Sequence, residues 1–207
     1  IDVADRPQDA HRLVGYVPDQ PFLYDKLSGR EFLQFIADMY GLAAEVASDR
    51  IEQQIATFEL TPFVDHLAES YSHGMRQRLV FAAALVHGPP ILVVDEPMVG
   101  LDPRSMRLVK DLFREEAARG TTVFMSTHTL SVAEEIADRV GIIDNGQLRF
   151  LGTVGQLREL TSLHDSSLEQ LFLRLTEADD EVADESETGK CNTVQDAHSP
   201  SRSRIPP

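Results

Sequence analysis

The chain has one cysteine among its 207 residues, Cys191, so neither an internal disulfide framework nor a cysteine-built zinc site is available to it. It has no run of about 18 apolar residues, the length a membrane-crossing helix needs. Its first residues, IDVADRPQDAHR, are polar and mixed in charge instead of basic and then apolar. The expectation is a chain with no membrane span and no secretory leader, in a reducing cytoplasm. Basic residues are scarce: 19 Lys and Arg against 34 Asp and Glu give a formal charge of −15. Wrapping a nucleic-acid backbone needs a basic face, so nucleic acid is not an expected partner. Residues 177–207 hold eight acidic and three basic side chains, which leaves −10 to the rest.

What is present suffices for one sizeable core, since 42% of the residues are hydrophobic and domains typically hold about 100–150 residues. RLVGYV (12–17) predicts a short buried strand, stopped by the prolines of PDQP. From Ser28, SGREFLQFIADMYG sets Phe32, Phe35, Ile36 and Met39 at helical spacing, with Ser28 as N-cap, Glu31 three residues on and Gly41 at the stop. That aromatic face is expected to pack into the core. EVASDRIEQQIATFEL predicts a second helix, and TPFVDHLAES a short third one opened by Thr-Pro. A Leu- and Ala-rich helix follows YSHG and ends at Gly88 and two prolines. Then come the strand ILVVDE, a helix at about 104–118 stopped by Gly120, the strand TTVFMST (121–127) and the helix LSVAEEIADR. The strands VGIID and QLRFLG flank an Asn-Gly turn. SLEQLFLRLT (167–176) is a last helix, beyond which Asp, Glu, Ser and Pro dominate and 177–207 is expected to be disordered. Apolar strands alternating with helices predict an α/β fold, a mainly parallel sheet covered on both faces, with a helical insert at about 28–90.

The strand ILVVDE ends in two carboxylates at the edge where such folds hold their ligands. Asp95 can hold a hard cation such as the Mg2+ that travels with a nucleoside triphosphate, and Glu96, pointing elsewhere, can accept a proton from an attacking water. A bare Asp-Glu at a strand end is as readily a helix cap or a solvated edge. In YSHGM, Ser72 and Gly74 stand where a helix starts, with free N–H groups facing out; this suits an anion and equally an ordinary cap. His128 closes TTVFMST and should project from the same edge as Asp95 and Glu96. Asp102 precedes Pro103, an N-cap arrangement. His66, His73 and His87 lack the spacing of paired zinc ligands.

Taken in order and spacing, four of these stretches resemble the ATP-binding subunits of ABC transporters, the bacterial exporter type above all. ILVVDEP resembles the Walker B strand, GLDP the D-loop, STH the switch histidine and YSHGMRQRL the signature motif. The resemblance runs over about 1–176 and implies a P-loop NTPase-like ABC ATPase core with its helical subdomain at about 28–90. It implies ATP and Mg2+, with Asp95 on the metal, Glu96 as general base and His128 at the terminal phosphate. Ser72, His73, Gly74 and Met75 would close on ATP held by a second ATP-binding subunit, and Asp102 would link the two sites. A membrane-spanning permease is the other implied partner, with the chain peripheral on the cytoplasmic face. ABC-type ATPases of DNA repair or translation fit less well, given the acidic charge and the lack of a long coiled-coil insert. The family's GYxPQxP loop reads GYVPDQP here, so Gln20, one place late, or Asp19 takes the glutamine's part at the metal and the water. In the family a groove beside that loop receives a permease helix.

One family motif is missing. The loop G-x-x-x-x-G-K-[ST] wraps backbone N–H groups and a lysine around the β- and γ-phosphates, and none of Lys26, Lys110 and Lys190 completes one. The first residue is Ile. The expectation is the C-terminal part of a longer ATPase, lacking about 60 residues at its N-terminus by comparison with ordinary domains and inactive alone. The alternative expectation is a non-catalytic module that lends its signature motif to a complete partner.

Overall fold

The computed structural model describes residues 1–161, 163 and 166–176. The acidic segment 177–207, expected to be disordered, lies outside the described residues. The chain forms two compact units, Ile1–Ala137 and Asp138–Pro207. Among the described residues no helix is long and apolar enough to cross a membrane.

In the first unit, helix α1 (Pro7–His11) leads into strand β1 (Val14–Val17). Helices α2 (Gly29–Met39) and α3 (Ala44–Thr57), a 3-10 turn (Ala68–Ser70) and helix α4 (His73–Leu85) follow. Strand β2 (Ile91–Asp95), helix α5 (Pro103–Ala118), strand β3 (Thr122–Ser126) and helix α6 (Leu130–Ile136) complete it. The strands form one parallel sheet in the order β1-β2-β3, with Val17 opposite Val94 and Asp95 opposite Ser126. Parallel pairing brings all three strand ends to one edge, from which 18–20, 95–96 and 127–128 emerge.

Helix α4 joins the helical insert to that sheet. Every residue from Leu79 to Leu85 is buried, as expected of a helix that packs on all sides. Its backbone comes so close to β1 that a Cβ at Gly15 would stand 2.4 Å from the Ala84 carbonyl oxygen, so only glycine fits. Phe81 stacks with Phe58 at 6.1 Å between ring centres and meets Phe113 of α5 edge-on at 5.9 Å. Helix α2 begins at the expected capping box: the Glu31 N–H donates to the Ser28 hydroxyl at 3.2 Å, and the Ser28 N–H donates to the Glu31 carboxylate at 2.8 Å.

Three expectations need correction. The helix at TPFVDHLAES is not formed. The Val64 carbonyl accepts from the Arg30 N–H at 2.9 Å and the Phe63 carbonyl from the Tyr71 hydroxyl at 2.8 Å, so acceptors that a helix would use are taken up by donors outside the segment. The aromatic face of α2 packs only in part: Phe32, Leu33 and Ala37 are buried, whereas Met39 is 68% exposed and Phe35 lies half-out against Tyr24. The buried stripe is centred on Leu33 and Ala37, rotated from the aromatic spacing. Among the described residues the sheet is covered on one face. The core takes in Val17, Leu92 and Val94 together with buried side chains of α4 and α5, while Tyr16, Val93 and Phe124 lie in register on the other face, Tyr16 55% and Phe124 66% exposed.

In the second unit, β4 (Val140–Asp144) and β5 (Gln147–Gly152) pair antiparallel about Asn145 and Gly146, both at positive φ, as the Asn-Gly signal predicts. Helix α7 (Val154–Thr161) and a helix at 168–176 follow. Helix α7 is not among the sequence expectations, yet it opens on a reciprocal cap between Thr153 and Gln156 at 3.1 and 2.9 Å. The T-x-x-Q spacing carried that signal.

Candidate active site

The edge where β2 and β3 end gathers polar side chains from both strands. Register sets Asp95 beside Ser126, and the Ser126 hydroxyl donates to Asp95 Oδ1. Glu96 extends the ladder by one bond, its N–H donating to the Ser126 carbonyl at 3.0 Å. It then turns the chain at a φ of +45°, a region that side chains other than glycine enter under strain. The expected strand ILVVDE therefore stops one residue early, at Asp95.

That turn carries the Glu96 carboxylate to the segment after β3. Oε1 accepts from the His128 N–H at 2.9 Å and lies 2.9 Å from His128 Nδ1. Oε2 accepts from the Thr127 hydroxyl at 3.3 Å, and that hydroxyl accepts from the Thr129 N–H at 3.0 Å. With Nδ1 turned to that oxygen, the other ring nitrogen, Nε2, is left to meet an incoming group. The imidazole is 75% exposed and the Glu96 side chain 23%, so the carboxylate is sheltered and the histidine is within reach of a ligand.

Asp95 and the Ser126 hydroxyl form a hard-oxygen donor set that fits Mg2+, an ion usually held by one or two carboxylates with water and substrate phosphates completing its shell. Among the described residues no cluster of three His, Cys, Asp or Glu side chains is built to hold a metal without such help. Asp19 and Gln20 follow β1 at the same edge and are exposed. Among the described residues no hydrogen bond ties either of them to Asp95 or Glu96.

A second group of expected residues sits at the start of α4. Ser72 is its N-cap, accepting from the Met75 N–H at 3.4 Å. A Cβ at Gly74 would meet nothing within 4 Å, so the first turn is open to approach. His73 leans on the loop after β2, its Nε2 3.4 Å from the Val99 carbonyl oxygen. Asp102, in the same loop, caps α5: its Oδ1 accepts from the N–H groups of Arg104 and Ser105 at 2.9 and 3.1 Å, and its Oδ2 accepts from the Ser105 hydroxyl at 2.6 Å. The Ser105 hydroxyl, ahead of these N–H groups, holds the Asp102 carboxyl below the usual carboxylate range.

The fold thus brings Asp95, Glu96 and His128 together, and Ser72, His73, Gly74 and Met75 together with the loop that carries Asp102. Ser126 and Thr127 went unassigned in the sequence, where they were only letters of STH. Their signal is the β2–β3 register, which a single strand does not display.

Residues 2–99 match the ABC transporter family. The chain is 32% identical over 176 residues to the ABC-type transporter ATP-binding protein EcsA of Bacillus subtilis, covering 85% of this chain and 71% of that protein. It is 36% identical over 174 residues to the daunorubicin/doxorubicin resistance ATP-binding protein DrrA of Streptomyces peucetius, covering 84% of this chain and 51% of the relative. A solved ATP binding subunit of an ABC transporter superposes with a TM-score of 0.78 at 31% identity, covering 84% of this chain and 72% of that one.

Proposed function

Because this chain belongs to the ABC transporter ATP-binding family, we propose that it serves as the ATP-hydrolysing subunit of an exporter, peripheral on the cytoplasmic face and joined to a membrane-spanning permease. The likeness to a Streptomyces drug-resistance protein supports the export reading. The observation that carries the hydrolytic reading is the Glu96 carboxylate, held by Thr127 and His128 at the strand edge that also carries Asp95.

In this reading Glu96 takes the proton of the attacking water, and the His128 Nε2–H donates to an oxygen of the terminal phosphate of ATP. Asp95, with Gln20, would hold Mg2+, which when bound offsets charge on the phosphate oxygens. The first turn of α4, with Ser72, His73, Gly74 and Met75, offers N–H groups and the positive end of a helix dipole to ATP on a second ATP-binding subunit. Asp102 then links the two sites from the loop that His73 touches. Glu96→Gln in the assembled subunit pair should bind ATP almost normally and lose at least about a hundredfold in turnover, the scale of general-base catalysis. Wild-type turnover would overturn the assignment.

A second reading is favoured by one structural observation: the first turn of α4 is open to approach, a Cβ at Gly74 meeting nothing within 4 Å. On that reading the chain is a non-catalytic module that pairs with a complete subunit and lends it the first turn of α4. Adding the chain to an intact subunit separates the two: a raised ATPase rate supports the lent motif, and an unchanged rate counts against it.

A further inference from the structure

We propose that Thr127 is a positioning residue that fixes which lone pair of the Glu96 carboxylate is left to take a proton; this rests on Glu96 being the general base. Thr127 follows β3, half-buried, with its hydroxyl between two partners. It accepts from the Thr129 N–H at 3.0 Å and donates to Glu96 Oε2 at 3.3 Å. A threonine hydroxyl has one hydrogen and two lone pairs. The Thr129 N–H occupies a lone pair and so fixes the rotor, and the single hydrogen is directed at Oε2.

The acceptor sites of the carboxylate are then unevenly used. Oε1 receives the His128 N–H at 2.9 Å and has His128 Nδ1 beside it, also at 2.9 Å. Oε2 receives Thr127 alone among the described residues, which leaves one of its lone pairs vacant. His128 cannot set the direction of that lone pair, because its N–H and its Nδ1 both lie at the other oxygen. With Oε1 as the only anchor, the carboxylate would be free to rotate about its last side-chain bond, and the vacant acceptor would lose its aim. The backbone beneath is already fixed by the bond from the Glu96 N–H to the Ser126 carbonyl. Thr127 therefore supplies the last constraint on the base.

Valine keeps the shape and β-branch of threonine but has no hydroxyl, and serine keeps the hydroxyl. In the assembled ATPase dimer, Thr127→Val should lower kcat about tenfold to a hundredfold, the scale of one hydrogen bond to a charged group. KM for ATP should stay within about twofold, since an interaction made only on the way to the transition state leaves ground-state binding alone. Thr127→Ser should recover most of kcat. In nucleotide-free protein, amide hydrogen exchange at Thr129 should quicken in Thr127→Val and not in Thr127→Ser. An unchanged kcat in Thr127→Val, an equal loss in Thr127→Ser, or a rise in KM that accounts for the whole loss would each overturn the proposal. Glu96→Gln is run alongside. If it turns over at the wild-type rate, the base assignment has failed and the role of Thr127 falls with it; if it is inert while Thr127→Val is unimpaired, only the role of Thr127 has failed.

Discussion

The imidazole of His73 occupies the space that a side chain at Gly100 would need: a Cβ there would stand 2.9 Å from Nε2, the nitrogen that also lies 3.4 Å from the Val99 carbonyl oxygen. The first turn of α4 and the loop after β2 are thus pressed together. Gly100 also has a φ of +72°, which strains any residue with a Cβ. Gly100→Ala should destabilise the chain by about 1–3 kcal/mol. Adding His73→Ala should restore only the part due to collision. Chemical denaturation of the single and double variants checks this, and strictly additive losses would mean that the two residues do not press on each other.

Tyr71, next to the Ser72 cap of α4, carries the start of that helix into the core. Its hydroxyl accepts from the Gly29 N–H at 3.1 Å and donates to the Phe63 carbonyl at 2.8 Å, and the residue is 6% exposed. Tyr71→Phe leaves the buried Gly29 N–H unpaired, while the Phe63 carbonyl keeps the His66 N–H at 2.9 Å, and should cost about 1–3 kcal/mol, the usual penalty for such a group. A shift in the denaturation midpoint with an unchanged slope is the expected readout. Wild-type stability would show that water replaces the hydroxyl.

His87 stacks on Tyr40 with ring centres 3.7 Å apart and planes 8° from parallel. Burial, with a smaller push from the Arg50 guanidinium, lowers its pKa from 6.5 to about 4. In the unfolded chain the imidazole takes up a proton near pH 6.5, which the folded protein refuses until about pH 4. The unfolded state therefore gains the extra proton in that window. Stability from this group is full above pH 6.5, falls as the pH drops to about 4, and changes no further below. Melting temperatures across the window should decline more steeply for the native chain than for His87→Phe, which keeps a ring on Tyr40. Parallel declines would clear His87 of the effect.

Local signals made much of this fold legible. Ser28 and Glu31 marked the start of α2 as soon as they were read three apart, and Asn145-Gly146 marked its hairpin, because caps and tight turns are satisfied by neighbours in the chain. The segment 61–70 misled for the opposite reason: the partners of Phe63 and Val64 are Tyr71 and Arg30, and Arg30 lies far off in sequence. In the candidate site, Asp95, Glu96 and His128 were legible from residue type and position at strand ends. Thr127 was not, since its role appears only when β3 is laid beside β2 and the Glu96 turn folds back onto it.

The left-handed turn at Glu96 sets two demands on one residue. The proposed hydrolysis asks for a carboxylate there, while the backbone favours a residue with no side chain at all. Glu96→Gly and Glu96→Ala lose the same hydrogen bonds, so their difference isolates the backbone. Glycine should be the more stable of the pair by about 1 kcal/mol, the reverse of the usual order, and the usual order in thermal denaturation would mean that the turn is relaxed. On the proposed reading, the strain in this turn is the cost of keeping a carboxylate where the backbone would rather have none.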